Sequence, residues 1–431
     1  MAFTAMSCGR TTEADHASEK RLTSHTDTAF VQEYHKGFVV HKDIATANDV
    51  RAIHLVAEQE VWIATGHGVY KKSNKAGDWR QMLPEENIGP AYDLDSDASG
   101  KVWVASWDGV YALEQGGLVH VPGPKPPIAK VLSTDQGVYA FGPYGIWEAK
   151  NFTNARSIRA VLPDKNGGLW LGTDIGLYHC KEAQTIAYQK NEDLISAYVK
   201  GMDLDEQGNL WVGGLGGVTI RKEGKVIDKK EPSNGITNIN VNVVKKAPDG
   251  KMWVGTDYGI TRFQPGESDY SVRLSKRWLR ADEVRDLDFD AYGNAWIATS
   301  DGVSLIARKE MTLADKADYF YDQLITRHVR EPGIVARFKL EVPGDTSSIV
   351  ADDDDNDGEY TAMYLAMESF RYAVTKSGEA KKRAKKAFDF LHLLREVTGR
   401  EGFFARTVVP IDWGRPMHDM NRTYTDRELA E

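Results

Sequence analysis

Cysteine, basic charge and long apolar runs are all scarce in this chain. Its 431 residues include two cysteines, Cys8 and Cys180, and because Cys8 lies in a polar N-terminal stretch we expect no disulfide. The formal net charge is −9, which argues against nucleic acid as a partner because phosphate binding needs a basic surface. No stretch approaches about 18 apolar residues, so we expect no membrane-spanning helix.

Residues 1–37 are predicted to be a tether and linker. The stretch Ala5-Met6-Ser7-Cys8-Gly9 resembles a bacterial lipoprotein box, in which the cysteine carries the lipid, although no basic region precedes it. The polar residues that follow have no apolar periodicity, which is typical of a linker. Two interpretations stay open: a lipid anchor at Cys8 that places the protein in the periplasm or at the cell surface, or an ordinary disordered start.

An aromatic residue followed six positions later by a glycine recurs seven times, at intervals of 31 to 43 residues. The aromatic residues are Trp62, Trp103, Tyr139, Trp170, Trp211, Trp253 and Trp296, and the glycines are Gly68, Gly109, Gly145, Gly176, Gly217, Gly259 and Gly302. Alternating apolar runs separated by Asp/Gly turns predict several short strands per copy. The glycine is expected to supply a positive φ, and a small residue two positions after the aromatic one predicts close approach between sheets.

One four-stranded sheet of about 40 residues cannot bury both of its faces, and radial repetition solves that problem. The sequence therefore predicts a mainly β fold, a seven-bladed β-propeller over residues 38–310. The segments NGGLWLGTDIGLYH and DGKMWVGTDYGITRF closely resemble the two-component-regulator propeller repeat. Tyr139 in the third copy and Gly214 in the fifth depart from that pattern. The resemblance implies a propeller but leaves function open, because the repeat occurs in sensor kinases, in carbohydrate-active enzymes and in periplasmic proteins without an assigned role.

Two sets of residues are expected at the mouth of the central channel. The first occupies the loop tips four and five positions after the aromatic residue, where aromatic faces can stack on sugar rings and carboxylates can accept hydroxyl hydrogen bonds. Its candidate ligand-binding members are His67, Trp107, Asp108, Tyr144, Asp174, Asp257, Tyr258 and Asp301.

The second set stands eleven positions before the aromatic residue. It comprises Arg51, Tyr92, Arg159, Lys200, Asn242 and Arg285, with Lys130 near the corresponding place in the third copy. If these side chains share one face, their positive charge favours a small anionic ligand. The alternative is that each cation pairs with an aspartate of an adjacent blade, such as Asp93 or Asp286.

Helical periodicity replaces strand alternation after Ile306. Met363, Met367, Phe370 and Val374 recur at helix-face intervals, and a second amphipathic helix precedes Gly399. Residues 311–431 are predicted to form a helical domain that resembles the first hairpins of an α/α-toroid, as found fused to propellers in bacterial proteins that act on polysaccharides. Two or three helices cannot close a core of their own, so either they pack on the propeller or the domain is incomplete, and we favour the second.

The acidic run DDDDNDG contains the sharpest local motif of the helical part. Asp353, Asp355 and Asp357 with the following glycine match the first half of a calcium loop, although the twelfth position is Tyr364 rather than glutamate. A second interpretation is catalytic, with Asp355 and Asp357 as paired carboxylates and Arg406 and His418 as companions. The third is an acidic helix N-terminus without a ligand.

Two functional hypotheses follow. In the first, the protein is an envelope enzyme, a lyase or glycoside hydrolase, that acts on an acidic glycan held by the propeller. In the second, it is a non-catalytic sensor propeller of a two-component system. The direct passage from propeller to helices favours the first.

Overall fold

The computed structural model describes residues 26–409 except 57–59, 74–76, 83–88, 115, 124, 136, 144, 148–156, 166, 182–183, 189–193, 343–344 and 354–355. The described chain divides into two compact units. One is Val31–Lys309, and the other is formed by the described residues before Val31 and after Lys309. Among the described residues, none of the helices combines the length and apolarity needed to cross a bilayer. Cys8 lies outside the described residues.

Antiparallel sheets of consecutive strands make up the first unit. Sheet 1 contains β2 Val50–Val56, β3 Glu60–Thr65, β4 Gly68–Ser73 and β5 Arg80–Met82; sheet 2 contains β6 Ala91–Ser96, β7 Val102–Ser106, β8 Val110–Glu114 and β9 Gly117–Val121; and sheet 3 contains β10 Lys130–Thr134, β11 Gly137–Gly142 and β12 Gly145–Trp147. Sheet 4 contains β13 Ile158–Pro163, β14 Leu169–Thr173, β15 Leu177–Lys181 and β16 Gln184–Tyr188, and sheet 5 contains β17 Val199–Leu204, β18 Leu210–Gly214, β19 Gly217–Lys222 and β20 Lys225–Lys230. Sheet 6 contains β21 Val241–Lys246, β22 Met252–Thr256, β23 Gly259–Phe263 and β24 Tyr270–Arg273, and sheet 7 contains β25 Val284–Phe289, β26 Ala295–Thr299 and β27 Gly302–Met311 together with the N-terminal strand β1 Phe30–Phe38.

The fold is a β-propeller with six complete blades. Sheets 1, 2, 4, 5, 6 and 7 each have four strands, and sheet 3 has three in the described residues. The N-terminal strand β1 pairs with β27 and supplies the outermost strand of sheet 7. Apolar clusters lie between successive sheets and also between sheet 7 and sheet 1, so the core is distributed over the interfaces between sheets.

The repeated glycine has the backbone conformation that the sequence predicts. At Gly68, for example, φ is 86°, and five more of the seven glycines, Gly109, Gly176, Gly217, Gly259 and Gly302, also lie in the left-handed region. A threonine or serine three positions earlier donates its hydroxyl to the carbonyl of that glycine in five sheets, as Thr65 does to Gly68 at 2.9 Å. Gly214 replaces this residue in sheet 5 because the Tyr198 carbonyl occupies the space of a side chain.

The small residue two positions after the aromatic one is required by sheet packing. A Cβ added at Gly213 would lie 2.6 Å from a methyl group of Val241 in the next sheet, and one at Gly172 would lie 2.5 Å from Val199. The third copy has Phe141 at this position, and its buried ring packs among residues of sheet 4. The prediction of close approach between neighbouring sheets is therefore confirmed for the glycine copies.

The second unit contains short strands and helices. Its elements are α1 Leu313–Gln323, a π-helix Leu324–His328, the two-stranded pairs β28 Val329–Arg330 with β29 Ile334–Val335 and β30 Phe338–Leu340 with β31 Ile349–Ala351, and the helices α2 Asp357–Thr375 and α3 Gly378–Glu396. The helices α2 and α3 pack against each other. The toroid-like arrangement of further hairpins stays a prediction.

The buried face of α2 differs from the face that its apolar residues predict. Met363, Phe370 and Val374 are exposed by 62%, 73% and 83%, whereas Tyr364 and Glu368 are buried. The buried glutamate accepts a hydrogen bond from Tyr321 Oη at 2.8 Å and lies 3.3 Å from Arg371 Nη1. This polar cluster holds the other face of the helix inward, so of the four residues at helix-face spacing only Met367 is partly buried.

Glu33 of β1 joins the N-terminal strand to sheet 6 through two ion pairs. Its carboxylate contacts Arg262 and lies 2.6 Å from Arg273 Nη2, both of sheet 6. Burial alone would raise the pKa of Glu33, but the two guanidinium groups outweigh it and hold the pKa below the ordinary value of 4.5. A carboxyl with a lowered folded-state pKa stabilises the protein above its unfolded-state pKa, and that stability is lost as pH falls through the folded value.

We expect Glu33→Gln to reduce the free energy of unfolding by about 3 kcal/mol at pH 7, because it leaves two buried guanidinium groups without their carboxylate. The difference from the parent should shrink progressively below pH 4.5. Urea denaturation across this range measures it, with the exposed Glu267→Gln as a control that should match the parent. A stability gap that is the same at pH 7 and in acid would contradict this account.

Candidate functional site

A cavity of about 750 Å³ opens where the innermost strands of the sheets begin. Its described lining consists of Arg51, Tyr92, Pro127, Ile128, Ala129, Lys130, Gly142, Pro143, Ser157, Ile158, Arg159, Tyr198, Lys200, Asn242, Asp257, Glu283 and Arg285. The cavity therefore brings together all seven residues of the second set, the six that stand eleven positions before the aromatic residue and Lys130 of the third copy.

A β-bulge explains why this position faces the cavity. In sheet 1, Val50 pairs with Thr65 and Ala52 pairs with Ala64, so Arg51 is an extra residue between two ladder pairs. The same register shift occurs in five other sheets, where the extra residues are Tyr92, Arg159, Lys200, Asn242 and Arg285. A bulge releases one side chain from the alternation of the strand and re-aims it. Lys130 enters from β10, whose pairing with β11 has no such shift.

The bulged residues contact one another from sheet to sheet. Arg51 lies over the ring of Tyr92 at 5.1 Å, and Arg159 lies over Tyr198 at 5.9 Å. Lys200 Nζ donates to Asn242 Oδ1 at 2.8 Å, and the amide of Asn242 donates to the Val284 carbonyl at 2.9 Å.

Most of the positive charge at the cavity is neutralised by nearby carboxylates. Asp49 accepts from Arg51 at 2.9 Å and also contacts Arg285, while Asp174 accepts from Arg159 at 2.8 Å. Glu283 and Asp93 pair with Arg285 and Lys130 at 3.0 and 2.9 Å. Four of the five lining cations are thus paired with carboxylates, as in the second of the two interpretations of this set. Lys200 makes no ion pair within the described part of the chain.

Lysines and aspartates of different sheets lie close together near the cavity. Burial opposes the charge of Lys130, but Asp93 and Asp286 outweigh it and raise its pKa. Lys245, 3.4 Å from an oxygen of Asp288, has a raised pKa chiefly because of that carboxylate. Burial raises the pKa of Asp286, against the opposing effect of the two lysines.

The loop tips contribute less to the cavity than the sequence predicts. Among the seven tip candidates that the structure describes, only Asp257 lines it, and Asp174 contacts the lining residue Arg159. Trp107 and Tyr258 are more than half exposed, Asp301 pairs with Arg280 at 3.2 Å, and the other tip residues in the described chain, His67 and Asp108, are not in the lining. Most of the described tip candidates therefore do not line this cavity, and their part in ligand binding stays a prediction. Tyr144 lies outside the described residues.

Further lining residues were missed, and they share a simple position. Ser157, Tyr198 and Glu283 stand thirteen positions before their aromatic residues, two positions upstream of the bulge. Asp49, which bridges two cations of the lining, has the same offset. Their spacing of two positions from the bulged residue is the sequence signal that identifies them.

In the second unit, the acidic motif is buried. Asp353 and Asp357 are fully buried, and Asp357 accepts a hydrogen bond from Thr407. The Arg330 guanidinium lies 4.0 Å from Asp357, which works against a divalent cation beside it. No group of three candidate metal ligands comes together among the described residues. Asp355 and His418 lie outside them and Arg406 is exposed, so the calcium and catalytic interpretations stay predictions.

Comparison with known protein families and solved structures supports the propeller fold. The family described as "Two component regulator propeller" matches residues 152–174, which contain the first two strands of sheet 4, β13 and β14. No curated protein matches the chain. Among solved structures, the domain described as the extracellular part of a one-component system from B. thetaiotaomicron is 14% identical, with a TM-score of 0.53. The match covers 63% of this chain and 39% of that one, so this chain spans well under half of that relative.

Proteins of other functions share the fold to a similar degree. Streptogramin B lyase is 12% identical with a TM-score of 0.51, over 65% of this chain and 98% of that one. The WD40 propeller domain of Doa1 is 12% identical with a TM-score of 0.52, over 65% and 97%. At these identities the likeness shows a propeller fold alone.

Asp49 and Asp174, which pair with arginines of the cavity lining, should contribute unequally to the stability of the protein. We expect Asp49→Asn to lower the free energy of unfolding by about 1 kcal/mol, because Asp49 joins arginines of sheets 1 and 7. Asp174→Asn should lower it by less than about 0.5 kcal/mol, because Arg159 is 48% exposed and the pair lies within one sheet. Urea denaturation at low salt measures both, and equal effects or the reverse order would contradict the arrangement described here.

Proposed function

We propose that this protein is a ligand-binding sensor propeller of the type found in two-component regulatory systems, and that the cavity at the channel mouth is its ligand site. The observation that carries the proposal is the convergence of bulged residues from six sheets on one cavity. The match of one repeat to the two-component-regulator propeller family and the fold shared with an extracellular sensor domain support it.

The three-stranded sheet 3 is, in this proposal, the seventh blade. Its strand β10 packs against β6 of sheet 2 and β13 of sheet 4. Apolar clusters join sheet 3 to sheet 2 around Ile128 and to sheet 4 around Phe141. Sheet 3 therefore makes the same two interfaces as each complete blade, and with it the ring closes through seven interfaces.

The ligand is an acidic oligosaccharide. Tyr92 and Tyr198 offer ring faces that can stack on sugars, and the paired arginines and carboxylates offer donors and acceptors for hydroxyl groups. Lys200 supplies a cation whose charge no carboxylate of the described chain neutralises by an ion pair. Because the other cations are paired, the site suits a ligand with few negative charges among many hydroxyl groups, rather than a dense polyanion.

Such a sensor works outside the cytoplasm, in the periplasm or at the cell surface, and lipidation at Cys8 would anchor it there. The exposed apolar residues of α2, Met363, Phe370 and Val374, fit a helix that packs against further hairpins of a toroid-like domain. The enzyme hypothesis has less support, because the family match is to a regulator propeller and two of the four candidate catalytic residues, Asp355 and His418, lie outside the described residues.

Binding of oligogalacturonate to the whole chain tests the proposal, with maltooligosaccharide as the neutral comparison. Calorimetric titration should give saturable binding of the acidic oligosaccharide and at least tenfold weaker binding of the neutral one. Lys200→Gln should weaken oligogalacturonate binding at least tenfold, which is about 1.4 kcal/mol.

Lys225→Gln is the matched control, because it removes the same charge from an exposed position at the outer strand of the same sheet. It should bind as the parent does. Absence of binding to acidic oligosaccharides, or an equal loss in both lysine variants, would refute the proposed site.

A further inference from the structure

The helical unit contains a second cavity, of about 360 Å³, to which nothing above assigns a role. It lies among the π-helix, the turn after β28, the middle of α2 and the first turns of α3. Its described lining is Ile325, Val329, Arg330, Glu331, Gly333, Tyr364, Glu379, Lys382, Arg383 and Lys386. Its volume is in the range of cavities that bind small molecules.

Positive charge predominates in this lining. Four cationic side chains, those of Arg330, Lys382, Arg383 and Lys386, face two carboxylates, Glu331 and Glu379. Lys382 and Lys386 are four residues apart on α3 and therefore share one face of the helix. Burial opposes the charge of Arg330 and lowers its pKa, against the opposing effect of the nearby Asp357 and Asp353, and a further anion would add to that favourable effect.

The carboxylates that accompany these cations are held at the rim. Glu331 pairs with Lys386 but is 80% exposed, and Glu379 pairs with Arg383 at 2.8 Å and is 57% exposed. Exposed ion pairs of this kind contribute little to stability. Both carboxylates can turn toward solvent when a second anion enters, and the cations then remain at the wall of the cavity.

The hydroxyl of Tyr364 is a buried hydrogen-bond donor in the lining of this cavity. The residue is 4% exposed, and its hydroxyl makes no hydrogen bond of ordinary geometry in the described part of the protein. The charged groups of Arg383 and Glu368 lie near it, and burial raises its pKa, so it remains a neutral donor. Buried hydroxyl groups are nearly always hydrogen-bonded, and an oxygen of a bound molecule would supply the missing partner.

We infer that this cavity binds a small dianion, a phosphate group or a dicarboxylate, between the cations of α3 and Arg330 with an oxygen accepting from Tyr364. Ile325 and Val329 form an apolar wall that leaves room for a short organic body beside the charged group. This site is separate from the channel cavity, and the inference does not depend on the proposed sensor function.

Calorimetric titration of the whole chain with inorganic phosphate and with succinate, in a buffer free of both, tests the inference. At least one of the two dianions should bind saturably, and acetate, a monoanion, should bind at least tenfold more weakly. The double variant Lys382→Gln/Lys386→Gln should weaken dianion binding at least tenfold. The double variant Lys381→Gln/Lys385→Gln removes the same two charges from the same helix outside the lining, and it should bind as the parent does.

Tyr364→Phe separates a ligand contact from a structural role. Because the hydroxyl makes no hydrogen bond of ordinary geometry with the described residues, its removal should leave thermal stability without ligand unchanged or slightly raised, while dianion binding weakens severalfold. Lys200→Gln, which alters the channel, should leave dianion binding intact. Failure of both dianions to bind, equal losses in the two double lysine variants, or a loss in Lys200→Gln alone would overturn the inference.

Discussion

The innermost strand of each sheet is an edge, and its unpaired N–H groups need partners. At three interfaces, those of sheets 7 and 1, 2 and 3, and 5 and 6, aspartate side chains of the preceding sheet accept hydrogen bonds from these groups. The observed pairs are Ile53 N to Asp286 at 3.0 Å, Leu55 N to Asp288 at 3.0 Å, Val131 N to Asp93 at 3.0 Å, Ser133 N to Asp95 at 2.7 Å and Lys246 N to Asp203 at 2.7 Å. Hydrogen bonds to charged groups contribute about 1.5–3 kcal/mol each, so these contacts bind neighbouring sheets along the channel.

The position of the candidate site follows from this arrangement. A carboxylate such as Asp286 fixes where the next innermost strand lies, and the bulge at the start of that strand turns Arg51 toward the cavity. Because the paired strands cannot slide, the bulged side chains are held in place before any ligand arrives. A preorganised cavity loses less conformational entropy on binding. The same carboxylates keep Lys130 and Lys245 charged, so the channel below the mouth remains polar.

The repeat made most of the propeller and part of the site predictable. Glycine at a constant offset identified the turns, and the offset of Arg51 and its counterparts identified the residues that share the cavity. The bulge itself could not be predicted, because it depends on pairing between strands, and neither could the pairing of Arg159 with Asp174. In the helices, periodicity showed that α2 has two unlike faces. Which face is buried depended on the partners of Glu368, and those come from distant parts of the sequence.

The central claim is that carboxylates of one sheet hold the innermost strand of the next, and amide hydrogen exchange tests it most directly. The N–H groups of Ile53, Leu55, Val131, Ser133 and Lys246 face no strand partner, and only the carboxylate contacts would protect them. We predict that they exchange as slowly as the ladder amides of the same strands. Exchange as fast as that of a surface turn, such as the one at Gly224, would show that the carboxylates do not hold the strands and would contradict the account.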